Sequence, residues 1–165
     1  MDQRNRLLVR AVALVIFLAA ASSISCAADG VPWPADQTFS IPLQLDSGGQ
    51  PLDAGSHRYT LTFAPHGLPP ADLSWSLTMY DLPQQELVTN LFGRHAITSQ
   101  ILHSLARNAD GSITIYIQKR PPGGRKDANW LPAPAGPFMM LLRLEGPEQA
   151  ALDGAWEAPP VERVE

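Results

Sequence analysis

The chain has 165 residues, with 12 Lys and Arg against 16 Asp and Glu, 45% hydrophobic residues, 16 prolines and one cysteine. Once an export segment is set aside, the rest has the size of one domain with one core. A net charge of −4 gives no general attraction for nucleic acid or anionic lipid, and a single cysteine excludes an internal disulfide.

The first stretch, MDQRNRLLVRAVALVIFLAAASSISCAADG, sets Arg4, Arg6 and Arg10 ahead of an apolar run from Ala11 to Ala21, followed by small residues. That is the layout of a secretory signal. A spanning helix needs about 20 apolar residues, and this run is cut by Arg10 on one side and by Ser22 and Ser23 on the other. Residues 1–28 are therefore read as a removed signal, with no transmembrane span left in the mature chain. Cleavage follows Ala28, where Cys26 and Ala28 are small, or Ala27, where Ser25 and Ala27 serve nearly as well. Cys26 offers a second route, acylation as a lipoprotein, although Ser23 stands where a lipobox has an aliphatic residue. Removal takes three arginines and Asp2 with it, leaving nine basic and fifteen acidic residues and a formal charge of −6. The expected location is periplasmic or secreted.

Residues 29–54 read as an N-terminal extension carrying one strand, and 55–165 as the main domain. In TFSIPLQL, Phe39, Ile41, Leu43 and Leu45 alternate, but Pro42 lacks an amide, so this strand belongs at a sheet edge. SHRYTLTFAP alternates Tyr59, Leu61 and Phe63 with polar neighbours, and LSWSLTMYD does the same with Leu73, Trp75, Leu77 and Met79. RHAITSQILHSLARNADG is ambiguous: Ile97, Ile101, Leu102 and Leu105 have helical spacing, yet a strand reading fits as well. Asn108-Ala109-Asp110-Gly111 then gives a turn signal. SITIYIQ places Ile113, Ile115 and Ile117 on one face, and FMMLLRLE is apolar on both faces up to Arg143, as in a central strand. Short turns and alternation predict an all-β fold, two antiparallel sheets packed face to face with at most one or two short helices.

WSLTMYD (75–81), NADGSITIYIQ (108–118), NWLPAP (129–134) followed by GPF, RLEGP (143–147) and WEAPPV (156–161) occur in an order that resembles the bacterial family called domain of unknown function 1214. The resemblance runs over residues 55–162 and implies a jelly-roll β-sandwich. It implies no reaction, since that family has no agreed one. Members often carry another uncharacterised domain ahead of this one, so the chain resembles a stand-alone form. Three positions depart from the family pattern: Ser74 and Glu145 stand where aromatic residues are usual, and His95 replaces a tyrosine after Arg94.

Trp130, flanked by Asn129 and by Pro132 and Pro134, is either a plug closing the end of the sandwich or a stacking platform for a sugar. Trp75 belongs to the core by its alternation. Arg143 must pair or reach the surface, with Asp81, Asp110 and Glu145 as candidate partners or an external carboxylate or phosphate as the ligand. Tyr80, Asn90, Arg94, Tyr116 and Gln118 line one polar groove if their strands are neighbours. Asp110-Gly111 has a full account as a tight turn. KRPPGGRK, with Lys119, Arg120, Arg125 and Lys126, reads as a solvated loop between strands, with polyanion contact as the other reading. His57, His66, His95 and His103 match neither a cupin pair nor a zinc-protease helix, and no serine sits in a nucleophile elbow.

No metal and no cofactor is expected. The leading expectation is a non-catalytic envelope protein that binds a glycan, another small ligand or a protein partner through Trp130, Asn129, Tyr80, Arg94 and Arg143. The alternative is an exported enzyme using Tyr80, Asp81, Arg94 and Arg143 for acid–base work. A third reading is a structural subunit that assembles through its edge strand.

Overall fold

The computed structural model describes residues 37–164 apart from Leu91. The expected signal segment, 1–28 with Cys26, lies outside the described residues. The strands are β1 (Thr38–Leu43), β2 (Arg58–Phe63), β3 (Ala71–Asp81), β4 (Ala96–Thr98), β5 (Ile113–Gln118), β6 (Trp130–Pro132), β7 (Phe138–Pro147) and β8 (Val161–Val164). The only α-helical turn among the described residues is α1 (Gln149–Leu152), and two 3-10 segments span Ser99–Ser104 and Gly124–Asn129. None of these helices is long and apolar enough to cross a membrane.

Two four-stranded sheets form, in the orders β1-β7-β3-β4 and β6-β5-β2-β8. Their inward faces come from the alternation: Tyr59, Leu61 and Phe63 in β2, Ile113, Ile115 and Ile117 in β5, and Trp75, Leu77 and Met79 in β3 are all buried. Phe138, Met140, Leu142 and Leu144 of β7 complete the same core. Aromatic pairs lock one sheet to the other. Tyr59 meets Phe138 edge-on at 5.6 Å, and Phe63 meets Trp75 at 5.4 Å. Such pairs add about 0.5–1.5 kcal/mol each beyond the area they bury. The protein is an all-β sandwich, as the alternation predicts.

Among the described strands β1 pairs only with β7 and sets Pro42 opposite Leu141, so the missing amide sits at an edge. Residues 37–54 share the sandwich core through Leu52 and Ala54. Leu45 does not follow its alternation; it lies beyond β1 and is 54% exposed. Leu73 also corrects the reading, being 61% exposed instead of inward. The β3–β7 register slips between Ala71 and Ser74, opposite Gly146, whose φ of +62° bends the chain. That bulge turns Leu73 outward over the glycine, where an added Cβ would lie 3.2 Å from Leu73 Cγ.

The ambiguous segment is both strand and helix. Ile97 is buried in the short β4, and the chain then tightens into the 3-10 segment Ser99–Ser104. One pairing is parallel: β6 runs alongside β5, with Tyr116 opposite Trp130 and Ile117 opposite Leu131. The proline–glycine loop and the second 3-10 segment serve as the crossover that a parallel pair needs.

A polar clasp holds the far edge of the second sheet. Asp46, with its side chain 3% exposed, accepts from the amides of Gly48 at 3.0 Å and Gln50 at 2.8 Å, and from Arg163 Nη2 at 2.6 Å. The Gln50 amide, joined by Arg163 and Gly48, holds the Asp46 carboxyl below its ordinary value, outweighing the opposite pull of burial. Asp110 is likewise held low, by the Ser112 hydroxyl at 2.7 Å and then its amide at 3.0 Å, which gives the turn before β5 its full explanation.

Candidate functional site

The crossover ending in NWLPAP builds one wall of a cleft. Asn129 is 2% exposed and fully occupied: Oδ1 accepts from the Ala106 amide at 2.7 Å, and Nδ2 donates to Ala106 O at 2.8 Å and Thr114 O at 2.9 Å. It is a clamp between segments, with no donor or acceptor turned to solvent. Trp130 follows on the outer side of its sheet, because the register that sends Leu131 into the core beside Ile117 sends Trp130 to the side of Tyr116. Its Nε1–H donates to Gln118 O at 2.8 Å, and only 4% of its surface is exposed.

What covers Trp130 is the connection between β3 and β4. Asp81 starts that connection by accepting the Glu86 amide on its carboxylate at 3.0 Å, while its own amide bonds Glu86 O at 3.0 Å. Asn90 then nucleates an Asx turn: Oδ1 accepts the amides of Phe92 at 3.0 Å and Arg94 at 3.2 Å, and Nδ2 donates to Arg94 O at 2.7 Å. Gly93 at φ +61° closes the turn, a conformation glycine adopts without strain. The turn presents Phe92, 64% exposed, edge-on to Trp130 with ring centroids 5.1 Å apart.

Arg94 ties the two walls together. Its Nη1 donates to Asp127 O at 2.8 Å and Trp130 O at 3.1 Å, both on the crossover. Between the walls lies a depression of about 410 Å³ whose lining includes Asp81, Glu86, Asn90, Phe92, Lys119 and Trp130, with Pro132 and Pro134 as its stiff floor. The exposed Phe92 ring gives an apolar face, and the carboxylates, amide and ammonium give hydroxyl partners around it. Such a mixture suits a small polar ligand with one apolar face.

The residues singled out in the sequence separate into two places. Trp130, Arg94, Asn90 and Asp81 stand at or around this cleft. Tyr80 and Arg143 do not: β3 and β7 direct them to the outer face of the first sheet, where Tyr80 lies opposite Met139 and Arg143 opposite Ser76. Arg143 resolves its charge at the surface, 3.8 Å from Glu145 and 3.3 Å from Thr38 Oγ1. Glu145 in turn accepts from Ser74 at 2.8 Å, so two of the three departures from the family pattern are cross-strand partners. Tyr80, Asp81, Arg94 and Arg143 therefore do not face one concavity. Tyr116 lies under Lys126, whose Nζ is 5.2 Å from the ring centroid, and Gln118 turns its amide to Arg120 O at 2.7 Å.

Of the lining residues, Phe92 is passed over by pattern reading, whereas Lys119 enters it through the polyanion reading of KRPPGGRK. An aromatic between an Asn and a Gly, outside any alternation, is the signal that marks the former. Among the described residues, no group of three or more His, Asp or Glu side chains is gathered closely enough to hold a metal ion.

Solved structures that resemble the chain include two bacterial proteins. The VPA0106 protein from Vibrio parahaemolyticus is 28% identical with a TM-score of 0.67, over 80% of this chain and 32% of that one. An uncharacterized protein from Burkholderia cenocepacia, 18% identical with a TM-score of 0.50 over 81% of this chain and 31% of that one, shares the fold. The chain thus spans about a third of the length of the structures it matches. No curated protein matches the sequence. A sequence profile matches residues 37–149, most of the described chain, and the chain belongs to the family described as protein of unknown function (DUF1214).

Proposed function

We propose that this chain is an exported, non-catalytic recognition module that binds a glycan in the cleft between the Asp81–Arg94 connection and the NWLPAP segment. The observation that carries the reading is Phe92: a ring left 64% exposed, backed by a buried tryptophan, and carried beside polar groups on a turn whose backbone is held by three Asn90 hydrogen bonds. An exposed aromatic ring costs solvation unless something covers it, and a rigid one loses little entropy when something does. A pyranose offers what fits: an apolar C–H face for Phe92 and hydroxyls for Asp81, Glu86 and Asn90. Trp130 and Arg94 act as the frame behind that surface, and Asn129 as its anchor.

The test is a glycan panel against the purified chain without residues 1–28, followed by titration calorimetry of whatever binds. Phe92→Ala is expected to weaken binding tenfold or more, about 1.4 kcal/mol, with its thermal midpoint unchanged. Binding that survives the substitution intact, or a panel with no binder at millimolar concentration, overturns the proposal. Export is part of the same reading and is checked separately. The N-terminus of protein recovered from the periplasm or medium should begin after Ala28, whereas a diacylglycerol-modified Cys26 would show the anchored form instead.

A further inference from the structure

Lys119 lies at the border of two depressions. On one side is the aromatic cleft; on the other is a second hollow of about 500 Å³ that includes His57, Arg58, Gln118, Lys119 and Arg120 in its lining. The two also adjoin through the backbone, since a Cβ placed on Gly55 of the second hollow would lie 2.9 Å from the carbonyl oxygen of Ala135 in the first. Sharing Lys119, the two are neighbouring depressions on one stretch of surface. Its charge is graded: Asp81 and Glu86 stand at the aromatic end, while among the described residues the lining of the other end holds cations and no carboxylate.

In a protein with more acidic than basic residues, that gathering of cations calls for a chemical reason. The protein itself uses little of it. Arg58 is engaged, and Lys119 spends one donor on Gly55 O at 3.3 Å. The guanidinium of Arg120 has no partner among the described residues and is exposed. Asp53, beside this hollow, is occupied by the Gly55 amide at 2.7 Å and the Ser56 hydroxyl at 3.2 Å. What remains is the fork of Arg120 and two ammonium donors of Lys119, a pair suited to a planar or tetrahedral anion.

We infer that the cationic hollow is an anion subsite continuous with the aromatic cleft, and that the ligand is an acidic oligosaccharide. One unit packs on Phe92, and a carboxylate or sulfate on another unit is held by Lys119 and Arg120. This rests on the glycan reading of the cleft and adds the charge of the ligand to it. Asp81 and Glu86 set the polarity, because they repel a charged unit from the aromatic end and leave it to the cationic one.

The experiment is a panel of matched glycans measured against the wild type and against Lys119→Gln/Arg120→Gln, each first shown to fold by its thermal transition. The probes are oligogalacturonate, its methyl ester with the charge removed, and a sulfated oligosaccharide with its desulfated form. The acidic member of a pair is expected to bind at least tenfold more tightly than its neutral counterpart. That preference should vanish in the double variant and shrink in 0.5 M salt, while Phe92→Ala weakens both members alike. The carboxylate and sulfate pairs tell which anion the subsite takes. Equal binding of charged and neutral members, or a preference untouched by the double variant, overturns the anion subsite and leaves the glycan cleft standing. If neither member of any pair binds, both fall.

Discussion

Asn129 and Phe92 show how differently two residues of one neighbourhood are used. Asn129 makes three hydrogen bonds to Ala106 and Thr114, which come from a coil and from β5, and no solvent reaches it. Replacing it by Ala leaves buried backbone groups unpaired, and an unfolding titration should show a loss of about 3 kcal/mol. Phe92, mostly in water already, is expected to change stability by less than about 0.5 kcal/mol on truncation. Neither role is legible from the residue alone. An asparagine beside a tryptophan and prolines looks like part of a ligand site until its partners, remote in sequence, are seen to fill every donor and acceptor. A phenylalanine in a loop has no period to mark it, so its placement over Trp130 appears only with the Asx turn of Asn90.

At the level of elements, strands with one face in the core were the legible ones. β2, β3 and β5 alternate because each inward side chain meets the opposite sheet, and their burial follows that pattern, while β7, apolar on both faces up to Arg143, alternates in burial alone. β4 and β6 are three residues each, too short to carry a period, and they are set by their neighbours instead. Leu73 escaped for a different reason: a bulge changes which face a residue takes without changing the sequence pattern. Gly146 makes that bulge, and Gly146→Ala should cost more than about 1 kcal/mol in a denaturant titration, since the backbone there is in a left-handed region. Arg94 supplies the side-chain hydrogen bonds that tie the β3–β4 connection to the crossover. In Arg94→Met the two bonds to the crossover are gone, and amide hydrogen exchange at Thr89, Asn90 and Gly93 should quicken well before the core strands respond.

For the whole molecule, acid is the condition the clasp makes interesting. Asp46 binds its proton less readily when folded than when unfolded, where its value is the ordinary 3.8. As pH falls, the unfolded chain takes up the proton first, so the stability this carboxylate contributes is present above that value and lost as pH drops through the folded one. Asp110 acts in the same direction. Unfolding free energies measured from pH 7 downward should therefore decline for the wild type below about pH 4, and Asp46→Asn should show a shallower decline from a lower starting point.

Pairing order also sets when this molecule can exist at all. The first two strands find neighbours in the last two, β1 with β7 and β2 with β8, so neither layer is complete until residues 138–164 have been synthesised. Until then, among the described strands, β1 has no partner at all and β2 has only β5. Once whole, the chain must bring its two ends together before either layer closes, and such distant pairing places refolding on the order of milliseconds to seconds.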